Sequence, residues 1–318
     1  MPDALRPDPW LLAVGVAADL AIGDPVYPAH PVRLIGWTLT HFENTLRRLG
    51  LDGYAGGVVL FLALSLVWVG GSIVLLAYAN KTVAIAIHAF LVYSLLALRD
   101  LLRHGFDVER AAARGDTRSA RTAIARLVGR DTSKMDAAAC RRAAIESLSE
   151  NLTDGFVSPV FWYAVGGLPG LILFKVVSTM DSMVGYKTPR YFKFGWCGAR
   201  TDDLMNWIPA RLTFLLISFV AIFIPGCSTR KALRIGWQQH AIVPGPNSGW
   251  SEAATAGAIQ RKLIGPIWAN GNLVTDLWLG DPRDPAAGGT GDFPRAAQLN
   301  LATGILASMI AITALKWL

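Results

Sequence analysis

The run "GGVVLFLALSLVWVGGSIVLLAYA", Gly56 to Ala79, is 24 residues long and holds no charge. A bilayer core needs about 20 apolar residues of helix to cross it. A chain carrying such a run folds around a membrane, because in lipid every backbone polar group must be satisfied internally. "TVAIAIHAFLVYSLLAL", Thr82 to Leu98, follows at once, so Asn80 and Lys81 make a tight turn between the arms of a membrane hairpin. His88 lies inside the second arm and reads as a side chain hydrogen-bonded within the bundle. The rest of the chain agrees: 53% of residues are hydrophobic and 17% charged, where soluble domains hold about 25% charged.

Further apolar segments raise the count to about four to six. Trp207–Gly226 and Gln298–Leu318 are two of them. Residues 156–180 are apolar but broken by Pro159, Gly166, Gly167, Pro169, Gly170 and Lys175, which suits a span or a re-entrant piece buried in protein. The short run Trp10–Ile22 carries Asp19 and ends in "GDP", so it reads as retained rather than as a cleaved leader. The expected fold is all-α: one polytopic membrane-embedded domain over 1–318, with a helical insertion at 99–150 and a polar loop region at 227–297.

The insertion is Arg-rich, with 11 Lys/Arg against 8 Asp/Glu, and Ala-rich at helical spacing. It reads as three helices, with Gly115 and Gly129 ending the first two. Its basic excess places it in the cytoplasm, as does the net charge of +7. No basic–aromatic nucleic-acid module is present. Three scattered cysteines and five scattered histidines give no disulfide framework, structural zinc site or His-built metal centre. There is also no G-x-x-x-x-G-K-[ST] loop.

Six polar stretches stand against this apolar background. "GDPVYPAHPVRLIG" puts Asp24, His30 and Arg33 on a proline-stiffened turn, suited to an anion or simply to solvent. In "LVGRDTS", Asp131 or Thr132 caps the next helix, leaving Arg130 to meet a phosphate. "IESLSENLTDGFVSPVFWY" spaces Glu146, Glu150 and Asp154 at i, i+4 and i+8. If helical, they share one face, where like charges repel unless a cation lies between them. Asn151 adds an oxygen, and loosely spaced oxygen ligands suit Mg²⁺. "STMDSMVGYK" carries Asp181 and Lys187. "ARTDDLMNWIPAR" carries Arg200, Asp202, Asp203, Asn206 and Arg211, with 203 and 206 one helical turn apart. Acids at membrane depth are functional candidates by default. In "PNSGWSEAATAGAI", Ser251 reads as a helix start with Glu252 in its first turn, explained by the helix dipole alone. Asn247 stands where it could approach a phosphate.

In order, "GDPVYPAHPVRLIGW", "LVGRDTS", "RRAAIESLSENLTDGFVSPVFWY", "GGLPG", "STMDSMVGYKTPRYFKFGWCGARTDDLMNWIPARLT", "ALRIGW", "PNSGWSEAATAGAI" and "WLGDP" resemble the adenosylcobinamide-phosphate synthase family of late cobalamin biosynthesis. The resemblance spans Gly23 to Pro282. It implies a multi-pass enzyme of the bacterial inner membrane with its site facing the cytoplasm. The implied reaction joins a propionate carboxylate of adenosylcobyric acid to the amine of (R)-1-amino-2-propanol or its O-phosphate. ATP and Mg²⁺ drive it, through an acyl phosphate. On that reading Glu150, Asn151, Asp154, Asp202 and Asp203 are the pool of metal ligands. Arg33, Arg130, Lys187, Arg200, Arg211 and Asn247 meet substrate or phosphate, and Glu146, Asp181 or Asp154 does proton chemistry. The implied partners are the corrinoid, the small amine, the bilayer, other late cobalamin-assembly enzymes and a second copy of the chain. His240 departs from the family pattern, since "AIVPG" separates it from Pro246-Asn247. Two other classes stay open from the residues alone: a small-solute transporter with acids beside broken helices, and a non-enzymatic membrane sensor.

Overall fold

Two helices, α1 (Pro9–Ile22) and α2 (Pro31–Arg48), lead into the long uncharged run. That run is helical throughout: α3 (Tyr54–Ser65), a π-helical turn at Leu66–Gly70, and α4 (Gly71–Tyr78). Asn80 then caps α5 (Lys81–Ser94), its side chain accepting from the Val83 amide at 3.0 Å, so the expected hairpin turn forms where expected. α6 (Leu98–Ala113), α7 (Thr117–Ile124) and α8 (Ala137–Leu152) are the three helices of the Arg-rich stretch. A second π-turn, Thr153–Val157, joins α8 to α9 (Ser158–Val184). α10 (Trp196–Met205), α11 (Trp207–Val220), α12 (Thr229–Gln239) and α13 (Ser248–Ile259) follow. The hairpin β1 (Leu263–Ala269) and β2 (Asn272–Leu279) and the terminal α14 (Asp292–Trp317) complete the chain. This computed structural model describes residues 5–25, 27–269 and 272–317.

Four helical stretches among the described residues are long and apolar enough to cross a membrane: Tyr54–Tyr78, Lys81–Ala113, Ala137–Val184 and Asp292–Trp317. Trp196–Met205 with Trp207–Val220 would make a fifth. The protein is an all-α polytopic membrane protein. Only 17% of the apolar stretch in Tyr54–Tyr78 is buried in protein, so its remaining apolar surface is suited to lipid. The broken segment, α9, is two helical pieces that meet at a kink. It bends at Gly167, whose φ of 62° and ψ of −155° are open to glycine, with Pro169 just beyond.

The chain divides into two units. The first comprises the chain up to Ala97, Ser158–Asn206 and the residues from Ser308 onward. There α1 packs on α5, α2 on α3 and α9, and α10 on α9. The buried Tyr163 ties this unit together. Its hydroxyl lies 2.9 Å from Nε2 of His88 and accepts from the Asp8 amide at 3.0 Å, which gives His88 the structural role its position suggests.

The second unit comprises Leu98–Val157 and Trp207–Ala307. At its centre lies α13, buried at every residue from Gly249 to Ile259. Its small residues let α12 approach closely: a Cβ on Gly257 would run into the Lys231 backbone. The segment 227–297 holds α12, α13 and the hairpin, pinned by side chains rather than looping. Lys231 pairs with Asp284, Arg234 with Asp281, and Arg261 with Asp292. Arg142 donates to the carbonyls of Ile264 (2.9 Å) and Ala287 (3.1 Å). The start of α8 differs from expectation. Asp136, not Asp131 or Thr132, caps α8, accepting from the Ala139 amide at 2.7 Å. Asp131 is spent on a local turn, accepting from the Ser133 amide at 2.8 Å.

Candidate functional site

In the second unit, α8 presents Glu146 and Glu150. Arg130, from the turn preceding α8, clamps Glu146 with two parallel bonds of 3.2 and 2.7 Å. Arg130 is therefore engaged by a carboxylate where the sequence suggested a phosphate contact. Glu150 is accessible to solvent, while Asn151 donates back to the Ser147 carbonyl at 2.8 Å and to its hydroxyl at 3.2 Å. The π-turn after Leu152 changes the geometry of the acid row. A wider turn inserts an extra residue, so Asp154 does not continue the α-helical face of Glu146 and Glu150. π-turns of this kind recur at functional sites.

The residue that sequence reasoning passed over is Glu252. Its dipole explanation does not hold. α13 starts at Ser248 with Asn247 as N-cap, and Glu252 is only 2% exposed. It feels the negative charges of Glu150 and Glu146 and the positive charge of Arg130. Burial first, then those two carboxylates, push its pKa well above the usual carboxylate range, with Arg130 opposing. A signal was present in the sequence: a helix of small and apolar residues on every side is buried all round, and Glu252 is its one acid. Nε of Arg130 is buried without a protein partner, as are the hydroxyls of Thr153, just past α8, and Thr255, three residues beyond Glu252 on α13. Buried polar atoms in native proteins are satisfied as a rule, so the unpaired Nε of the guanidinium that holds Glu146 fits a place for a polar ligand or ion. Arg211 and Asn247 also meet in this unit, at 3.3 Å, with Arg211 lying over the Trp207 and Trp250 rings. His240 stacks flat on Trp250, centroids 3.8 Å apart, a packing role.

The first unit holds a different set. Asp181 on α9 and Asp202 and Asp203 on α10 lie within electrostatic reach of one another. The amide of Asn206 pairs with Asp202 at 2.9 Å rather than with Asp203, because positions four apart lie more nearly in line along the helix. Asn206 also accepts from the Ser158 hydroxyl at 2.5 Å. Asp203 pairs instead with the exposed Arg200 at 3.3 Å. Lys187 lies beyond the end of α9 and is exposed. Asp24 and His30 meet at 2.7 Å, but Arg33 is not on their turn. Pro31 opens α2, a favourable first helical position, and carries Arg33 into the helix, where it is exposed.

The expected metal pool is thus divided: Glu150, Asn151 and Asp154 in one unit, Asp202 and Asp203 in the other. Among the described residues no group of three or more His, Cys, Asp or Glu side chains is arranged to hold a metal ion. Each unit offers hard oxygen donors, one or two at a time. That is the set Mg²⁺ uses when phosphate oxygens and water complete its octahedron.

A multi-pass helical membrane protein with carboxylates and guanidiniums gathered inside it is the class that fold and site define. The chain belongs to the CobD/CbiB family: the family model described as CobD/Cbib protein matches residues 12–300. It is 43% identical over 285 residues to a cobalamin biosynthesis protein CobD of Pelobacter propionicus, covering 87% of each chain. It is 37% identical to the CobD of Photorhabdus laumondii over 92% of each. With a cobalamin biosynthesis protein CbiB of Salmonella arizonae it shares 35% identity, over 94% of this chain and 95% of that one. The chain is thereby a member of a cobalamin-biosynthetic enzyme family along nearly its whole length. No solved structure matches it.

Proposed function

We propose that the protein catalyses ATP-dependent amide formation between the propionate carboxylate of adenosylcobyric acid and (R)-1-amino-2-propanol or its O-phosphate. The product is adenosylcobinamide or its phosphate. The reading rests on the family, and the observation that carries it furthest is Glu252. Three carboxylates (Glu146, Glu150 and Glu252) face one guanidinium, Arg130. Glu252 is buried while Glu150 opens to solvent, so a group with more carboxylates than guanidiniums suits a cation that can enter from the solvent side. A substrate ammonium supplies one, and so does Mg²⁺.

ATP with Mg²⁺ would supply the activation that a carboxylate, a poor electrophile, lacks. The chain's own residues do the positioning, which is most of what phosphoryl transfer asks of a protein. Glu150, Asn151 and Asp154 offer oxygens to a cation in the second unit, and Asp202 and Asp203 do so in the first. Arg130 holds Glu146 in one orientation through its two bonds, leaving Glu150 and Glu252 as the acids nearest an incoming amine. An amine must shed a proton before it attacks, and a carboxylate kept partly from water is a suitable acceptor. Asp181 is the corresponding candidate in the first unit. Arg211, steadied by Asn247 and two indole rings, presents a fixed guanidinium for an anionic group. The active side is taken to face the cytoplasm, where ATP is found, from an inner-membrane location.

The test is direct. Purified protein is incubated with adenosylcobyric acid, ATP, Mg²⁺ and either the amine or its phosphate, and the amide is sought by mass spectrometry. Product that requires ATP supports the proposal, and no product with either amine rejects it. Asp154→Asn should abolish product while expression and thermal stability hold. Equal loss of folding would assign Asp154 a structural part instead.

A further inference from the structure

The first unit contains a cavity of about 610 Å³ whose wall is basic. Lys187, Thr188, Arg190 and Lys193 reach it from the segment between α9 and α10. Arg47 reaches it from the end of α2, and Asp52 from the turn before α3. The two guanidiniums are held in place. Glu43, 5% exposed, accepts from Arg47 at 2.8 Å and from Arg190 at 3.1 Å. Arg47 also donates to the Arg190 carbonyl at 3.2 Å and lies 4.4 Å over the Phe194 ring. A glycine makes room for this: a Cβ at Gly57 would run into the Phe194 backbone, so Gly57 is what lets α3 close against it.

A solvated basic loop would spread its cations apart. Here two are fixed by a shared buried acid and an aromatic ring, and two lysines are set beside them around one concavity. Glu43 and Asp52 together do not balance four cations. Such a wall repels itself until an anion enters, and fixed guanidiniums flanked by mobile ammoniums are the usual equipment for phosphate. The volume falls within the range of small-ligand sites. We propose that this cavity binds a phosphate-bearing group, either the polyphosphate of a soluble nucleotide or the headgroup phosphate of an anionic lipid. The proposal deepens the reading of Lys187 as a phosphate contact by giving it a built site.

The test uses the full chain in nanodiscs of neutral phosphatidylcholine, with tripolyphosphate as probe and calorimetric titration as readout. Saturable binding is expected. Lys187→Gln with Lys193→Gln should weaken it about tenfold or more, the scale of losing charge-assisted contacts. Arg114→Gln with Arg118→Gln removes equal charge from exposed positions of the second unit and should leave binding unchanged. No saturable binding, equal weakening by both double variants, or no weakening by the lysine pair would overturn the site. Repeating the titration in phosphatidylglycerol nanodiscs separates the sources. A lipid occupant lowers tripolyphosphate affinity in the wild type but not in the lysine variant, and a soluble occupant leaves the wild-type affinity unchanged. Because no turnover is read, the reaction proposed above could fail with this binding intact, and binding could fail with amide formation intact.

Discussion

The protein keeps two sets of acids, and they are built differently. In the second unit Glu146 is gripped by a guanidinium and Glu252 is sealed inside a helix buried on all sides. In the first unit Asp202 is paired with a neutral amide, and Asp203 with an arginine whose side chain is 68% exposed. A strong ionic clamp fixes geometry, but it spends the carboxylate. A neutral amide partner leaves the carboxylate its charge and so its appetite for a cation. The two sets therefore differ in how firmly each carboxylate is held.

The largest effect should come from breaking the clamp. Glu146→Ala removes the carboxylate that is hydrogen-bonded to the largely buried Arg130 and should cost about 3 kcal/mol in denaturant unfolding of the detergent-solubilised protein. Adding Arg130→Ala should restore part of that loss. No recovery would mean that packing, not charge, is what Glu146 supplies.

Asp202→Asn sharpens the other side. The asparagine can still accept from Asn206, so thermal stability should hardly move. The Mg²⁺ concentration needed for half-maximal amide formation should rise about 10- to 100-fold. An unchanged Mg²⁺ requirement would move the cation to the second unit.

Glu252 predicts a pH trend. Its folded pKa is raised by burial and by Glu150 and Glu146, while in the unfolded chain it ionises near ~4.3. As pH rises past that value the unfolded state releases this proton first. The group's contribution is therefore full below about pH 4 and is lost as pH climbs toward the folded pKa. Glu252→Gln removes the trend, so the melting temperature of the variant should gain on the wild type from about pH 5 to pH 8. The difference has a ceiling of ~1.4 kcal/mol per pH unit. A parallel pair of curves would show that Glu252 is already neutralised by a partner.

The smallest effect belongs to the exposed pair. Arg200→Ala should change stability by no more than about 0.5 kcal/mol, since solvent screens such bonds.

Much of this was legible along the chain. Hydropathy marked the hairpin at Asn80, and Gly115, with φ of 74°, ends its helix as read. The motifs identified the family on their own residues. Other features were not legible, and for one reason. Arg130 meets Glu146 across 16 positions, Arg211 meets Asn247 across 36, and Arg190 meets Glu43 across 147. Helical spacing reports only neighbours three and four apart. The π-turn at Thr153–Val157 also defeats that spacing from within, because one extra residue rotates Asp154 off the face that a 3.6-residue period assigns it.

The sequence by itself determined that the chain enters a membrane, where its long apolar helices run, and which family it belongs to. These follow from local apolarity and from residue order. Tertiary structure alone decided which acid is buried, which guanidinium is already spent, and that four cations from two separate segments line one cavity. Those outcomes depend on long-range packing, and burial sets the cost of a charge only once the neighbours are in place.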